Sequence, residues 1–132
     1  QLAKSLGTED NITFTGKIHQ DDLPKLLANS DIYVSTAISD AGLAASTAES
    51  MASETPVIVT EGSDNHLWVD NGNSGFLIPP KKPGVLAEKI IDLIENPETR
   101  KVFGKNARTK IVTNSGWNTE MSKMNKIYED LK

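Results

Sequence analysis

Short apolar runs separated by stretches with helical spacing set the pattern of this chain. Ile12-Thr13-Phe14-Thr15 alternates and is rich in β-branched residues, which predicts a strand ended by Gly16. Ile32 to Ser35 predicts a second strand and Val57-Ile58-Val59 a third, buried one. Phe76-Leu77-Ile78 predicts a fourth, closed by Pro79 and Pro80. Gln1 to Leu6 reads as the tail of a helix with Gly7 as its C-cap, so the expectation is a piece of a longer protein. A helix over 20–28 follows, with Leu23, Leu26 and Leu27 on one face and Pro24 tolerated near its start. Another is predicted from about Leu43 to Ser53, stopped by Pro56.

The loop 61–75 is dense in Gly, Asn and Asp around the apolar clip Leu67-Trp68-Val69, with Trp68 expected to anchor it in the core. Beyond it the pattern is helical. Leu86, Ile90, Leu93 and Ile94 make one apolar face that ends before Pro97. Val102, Phe103, Ala107 and Ile111 point inward from a helix over 98–112, broken by Asn114, Ser115 and Gly116. Trp117 is expected to pin a last amphipathic helix marked by Met121, Met124, Tyr128 and Leu131. Helices alternating with short apolar strands predict an α/β fold, a parallel sheet with helices on both faces. Residues 1–115 read as the domain, with 116–132 a C-terminal helix packing back on it.

Composition narrows the function. At 132 residues the chain suits one domain, and its 37% hydrophobic and 24% charged content is that of a globular protein. Fourteen basic against eighteen acidic residues argue against a nucleic-acid partner. The absence of cysteine rules out disulfides and a thiol nucleophile, and two histidines, His19 and His66, make a histidine-rich metal site implausible. No metal or cofactor is expected, and a cytoplasmic location is, peripheral to a membrane at most.

The chemistry concentrates between Ser39 and Thr60. A polar, small-residue break at Asp40, Ala41 and Gly42 follows one strand and opens a helix. Free N–H groups at the positive end of such a helix suit an anionic ligand. Glu49 lies about two turns beyond Leu43 at 3.6 residues per turn, so it reaches only a part of the ligand lying along the helix. In open parallel sheets ligands sit beyond the carboxyl ends of the strands, where Gly16, the segment 35–42, the segment 60–65 and Pro79 all fall. On the residues alone, the bland alternatives are a plain strand-to-helix turn, a solvated Glu49, an N-capping Asp40, and His66, Asn65 and Asp64 as loop scaffolding.

Asn11 to Gly16, Ser30 to Ser35, Glu49-Ser50-Met51-Ala52, Pro56-Val57-Ile58 and Asn71 to Leu77 stand in an order and spacing that resemble one family. It is the C-terminal, donor-binding domain of retaining family 4 glycosyltransferases (glycosyl transferases group 1) with the GT-B fold. The resemblance implies a three-layer αβα Rossmann-like domain that lacks its first strands. It implies that Glu49 binds the nucleotide's ribose hydroxyls, that amides of Gly42, Leu43 and Ala44 contact the donor's diphosphate, and that backbone of Gly16, Lys17 and Ile18 reads the base.

Three positions depart from the family's pattern. Ala41 replaces the first glutamate of the family's pair, leaving Asp40 to cover the sugar from a shifted position. Glu54 replaces a glycine, at a cost of roughly 1 kcal/mol if the site is left-handed. Leu67 stands where many relatives have glutamate. The family's upstream segment, with its Arg, Lys and two central strands, has no counterpart, which would expose strand edges. The expected partners are therefore a nucleotide sugar, a missing N-terminal acceptor domain or partner chain, or a second copy joined through those edges. No catalytic residue is expected here, and no activity of the chain alone. A noncatalytic α/β scaffold or interaction module is the alternative.

Overall fold

The computed structural model describes residues 1–38, 42–62 and 64–131. Three parallel strands form its sheet in the order β1 (Tyr33–Ser35), β2 (Val57–Thr60), β3 (Gly75–Ile78). Val34 pairs with Ile58 and Ile58 with Phe76. Every residue of β2 is buried, as its unbroken apolar run requires of a strand covered on both faces.

Around the sheet lie α1 (Leu2–Ser5), α2 (Leu23–Ala28), α3 (Ala45–Ala52), α4 (Asn65–Trp68), α5 (Pro83–Glu95), α6 (Pro97–Ser115) and α7 (Trp117–Asp130). Alternation along β2 sorts its side chains into two cores. Val57 and Val59 meet Met51 of α3 and Ala107 and Ile111 of α6. Ile58 meets Ile78, Leu93 of α5 and Phe103 of α6 on the other face. Phe103 also stands edge-on to Phe76, centroids 5.2 Å apart. This is the expected αβα layering with a three-stranded sheet.

The segment 12–15 is not a strand: it runs extended after a 3₁₀ turn at Glu9–Asn11, and Phe14 is 86% exposed. A strand needs a ladder partner, and β1 pairs only with β2 among the described residues, so the β propensity of these residues has nothing to pair with. The helix expected from Gln20 starts at Leu23, because the N–H groups of Asp22 and Leu23 both donate to the His19 carbonyl and hold 20–22 in a turn. Similarly, α3 begins at Ala45 rather than Leu43.

The apolar clip is a helical turn, α4, that buries Val69 and packs Trp68 against the core. Ile94 and Val102, read as inward, are exposed; Leu93 and Phe103 beside them take the core positions. α6 runs on to Ser115, since Gly116 with extended φ −62 and ψ 137 is what ends it. Trp117 pins nothing: it is 77% exposed, and α7 buries none of its side chains. Glu54, which stands where the family has glycine, is left-handed at φ 63, so the condition for its strain cost is met.

Candidate functional site

β1 delivers the chain to the mouth of α3, and the residues there are chosen by backbone need. Asp40 and Ala41 lie outside the described residues. Gly42 adopts φ 82, a conformation that side-chain-bearing residues avoid, in space that would otherwise admit a Cβ. Leu43 then turns inward against the Met51 core and anchors the loop. Ala44 is extended and occupies the N-cap, where its carbonyl accepts from Thr47 and Ala48 N–H, both at 3.0 Å. It has no side-chain oxygen, so the N-cap residue itself caps none of the first-turn amides. The positive end of α3 thus faces the loop without an internal acidic residue in its first turn.

Two contacts fix this helix in place. The Tyr33 hydroxyl of β1 hydrogen-bonds Ser46 Oγ in the first turn of α3 at 2.8 Å. The buried Thr55 hydroxyl donates to the Leu27 carbonyl at 2.7 Å, tying α2 to the turn after α3. Sequence reasoning named neither; a tyrosine in a strand and a serine on a helix carry no signal of a partner thirteen residues away.

Glu49 is exposed on α3 and lines a cavity of about 830 Å³. That cavity is a groove lined by Leu23 and Leu27 of α2 with Gln20 before it, by Glu49 and Ala52 of α3, and by Arg108 of α6. Gly42, Leu43 and Ala44 lead into the same helix that carries Glu49, so the structure brings these four together. Gly16 (φ 63) and Lys17 are exposed and Ile18 half-buried, and none of the three lines the groove. Gln20, which sequence reasoning passed over, does.

A second cavity of about 270 Å³ lies beyond the strand ends, between Thr36, Thr60, Ile78 and Lys82. The row of loops expected to hold the ligand is therefore concave there too, in a smaller cavity than the groove at Glu49. Asn65 is buried with its Nδ2 donating to the Thr60 carbonyl at 2.9 Å, so it braces the loop, while His66 and Asp64 are exposed. His19 accepts from the Asp21 N–H at 3.4 Å on the surface. Among the described residues no group of three metal-ligating side chains gathers, and no helix is long and apolar enough to cross a membrane.

A parallel sheet with helices on both faces and a glycine-opened helix at a strand's carboxyl end define a Rossmann-like α/β domain. Residues 1–110 match the family described as glycosyl transferases group 1, and the chain belongs to that family. It is 32% identical over 124 residues to an uncharacterised glycosyltransferase of Methanocaldococcus jannaschii, covering 92% of this chain and 31% of that protein. It is 30% identical over 122 residues to spore coat protein SA of Bacillus subtilis, covering 92% and 32%.

The chain thus spans about a third of the length of the relatives it matches. Its fold superposes on sucrose-phosphate synthase from Thermosynechococcus elongatus with a TM-score of 0.91 at 24% identity, over 98% of this chain and 32% of that one. It superposes on Anabaena HepE, solved in complex with UDP-glucose, with a TM-score of 0.86 at 24% identity, over 97% and 35%. These neighbours carry the GT-B glycosyltransferase fold.

Proposed function

We propose that this chain is the nucleotide-sugar-binding half of a retaining family 4 glycosyltransferase. The whole protein would move a glycosyl group from a nucleoside diphosphate to an acceptor hydroxyl with its anomeric configuration kept. The observation that carries the reading is the uncapped mouth of α3, opened by left-handed Gly42, with Glu49 exposed further along the same helix at the edge of a groove. The diphosphate rests against the amides past Gly42, where the helix dipole favours negative charge. Glu49 takes two hydrogen bonds from the ribose diol. Asp40, outside the described residues, is assigned to the donor sugar. Family membership supports the transferase, and the UDP-glucose bound by HepE supports a nucleotide-sugar donor.

Catalysis in such an enzyme comes from stabilising the departing diphosphate and aligning two substrates. The cations for that step and the acceptor site are assigned to an N-terminal domain or partner chain, which leaves this chain inactive alone. Residues 1–115 are assigned to the donor domain and 116–132 to a separate C-terminal helix that follows it.

Calorimetric titration with UDP, GDP and ADP, with and without sugar, tests the reading. Saturable binding that weakens at least about tenfold in Glu49→Ala is expected, since each bond to a charged acceptor is worth about 1.5–3 kcal/mol. A well-folded chain that binds none of the three would refute it and favour the noncatalytic module. The exposed apolar side chains of α7 are the observation on that module's side.

A further inference from the structure

Resting on that reading, we infer that Tyr33 is a positioning residue for the diphosphate: its hydroxyl, bonded to Ser46, sets where the first-turn amides of α3 stand. Tyr33 is not asked to touch the nucleotide. It acts through Ser46, the second residue of α3.

The two ends of α3 are held differently. Near its carboxyl end Met51 is fully buried, the Arg108 guanidinium donates to the Ala52 carbonyl, and Thr55 in the following turn donates to the Leu27 carbonyl at 2.7 Å. At the amino end Leu43 packs on the core and Thr47 is buried, but Ala45 and Ser46 are exposed and Ala44 brings no side-chain cap. Apolar contact presses that turn toward the sheet without fixing it sideways, because it is non-directional. A hydrogen bond is directional. Among the described residues, the 2.8 Å bond between Tyr33 Oη and Ser46 Oγ is the one that joins the first turn to the sheet.

Tyr33 suits the task because its own base is fixed. It pairs with Val57 in the ladder, its N–H donates to the Pro56 carbonyl at 2.9 Å, and its ring packs against the Met51 core. The hydroxyl thus ends a short strut standing on β1. Eight residues at 1.5 Å rise make α3 about 12 Å long, so a tilt of about 3° around its tied end moves the first turn by about 0.6 Å. Glu49, three residues from Ala52, moves by roughly a third of that. Hydrogen bonds weaken steeply with distance and angle, and a binding site tolerates about 0.5 Å. Loss of the strut therefore weakens the grip on the diphosphate and spares the nucleoside.

The test is nuclear magnetic resonance titration with UDP, GDP and ADP and, without the phosphates, with uridine, guanosine and adenosine. It compares the wild type with Tyr33→Phe, Ser46→Ala, Ser46→Thr and, as reference, Glu49→Ala. Tyr33→Phe and Ser46→Ala are each expected to weaken the diphosphates about three- to tenfold and to leave the nucleosides within about twofold. Their combination is expected to lose no more than either alone, since both remove the same bond. Ser46→Thr keeps a hydroxyl and is expected to bind as the wild type does. Circular dichroism checks folding, and Ser46→Ala, at an exposed residue, carries the test if Tyr33→Phe does not fold. If Glu49→Ala loses binding while Tyr33→Phe and Ser46→Ala keep wild-type affinity for the diphosphates, only this inference falls. A parallel fall in diphosphates and nucleosides overturns it too, because the bond then serves the whole fold. If the wild type binds no nucleotide, the nucleotide-binding reading fails first and the inference with it.

Discussion

Gly104→Ala should loosen the packing on which the α3 site rests, although it improves helix propensity. A Cβ at Gly104 would lie 2.0 Å from the Glu54 carbonyl oxygen and 2.8 Å from the carbonyl carbon. These are backbone atoms, so no rotamer change relieves the contact. The turn at Glu54 is also held from three sides. Glu54 N–H donates to the Met51 carbonyl at 3.2 Å and Thr55 N–H to the Ser50 carbonyl at 3.0 Å, and the Arg108 guanidinium donates to the Ala52 carbonyl. α6 must therefore withdraw by roughly 1.4 Å to reach ordinary contact distance, which opens the interface carrying Met51, Ala107 and Ile111. Overpacking of this kind costs about 1–3 kcal/mol, with the upper end appropriate to backbone atoms. The alanine returns about 1 kcal/mol of helix propensity. The net loss is about 2 kcal/mol, or roughly 6–10 °C of Tm for a domain of this size. Thermal and urea unfolding measure it, with an unchanged m-value expected, and exposed Lys105→Ala on the same helix serves as a near-neutral control. A Gly104→Ala chain that melts with the wild type or above it refutes the close-contact argument.

Glu54→Gly should act in the opposite sense, raising stability by about 0.5–1 kcal/mol. It removes the cost of a left-handed side chain at φ 63, and the exposed pair it gives up, Arg108 to Glu54 at 3.7 Å, is worth little. An unchanged or lower Tm would contradict it. Thr55→Val should lose about 1 kcal/mol by urea unfolding, because the 2.7 Å bond to Leu27 disappears while that carbonyl keeps its bond from Ser30 N–H. A loss under a few tenths would show that α2 is held by apolar packing alone. Deleting residues 117–132 should change the stability of the remainder by no more than about 1 kcal/mol, since α7 buries no side chain. A collapse of the transition on deletion would show that α7 is part of the folding unit. Gly42→Val should leave Tm within a few degrees yet weaken nucleotide binding, because it strains only the loop before α3. Wild-type affinity in that variant would remove Gly42 from the site.

What the sequence made legible follows from which interactions are local. β2 was readable because four consecutive side chains are all buried, and α5 and α6 because Leu93, Ala107 and Ile111 recur at helical spacing. Ile94 and Val102 have the same character as these neighbours but fall just off the buried stripe, and hydrophobicity alone could not separate them. The site divides the same way. The opening of α3 at Gly42 and the place of Glu49 on that helix depend on residues close in the chain, and both stand. That Gln20 and Glu49 line one groove, and that Tyr33 is bonded to Ser46, depend on how two helices and a strand settle against one another. Glu54 shows a departure that is legible in one sense only. A glutamate where a glycine fits predicts the left-handed backbone, but not that Gly104 would close against its carbonyl.

The segment 12–15 joins fold and function most directly. Its residues favour a strand, yet Phe14 is almost fully exposed and β1 has one unpaired edge among the described residues. An apolar segment without a ladder partner and an open parallel edge can each take a strand partner. Such pairing would cover Phe14 and Val34, which are exposed here. The groove as it stands is lined by residues of α2 and α3, by Gln20 before α2, by Ser53 and Glu54 after α3, and by Arg108 of α6. Nucleotide binding, proposed above for the mouth of α3 and for Glu49, uses residues of this chain and should be measurable on it alone. Sugar transfer, whose cations and acceptor site are assigned beyond it, should not.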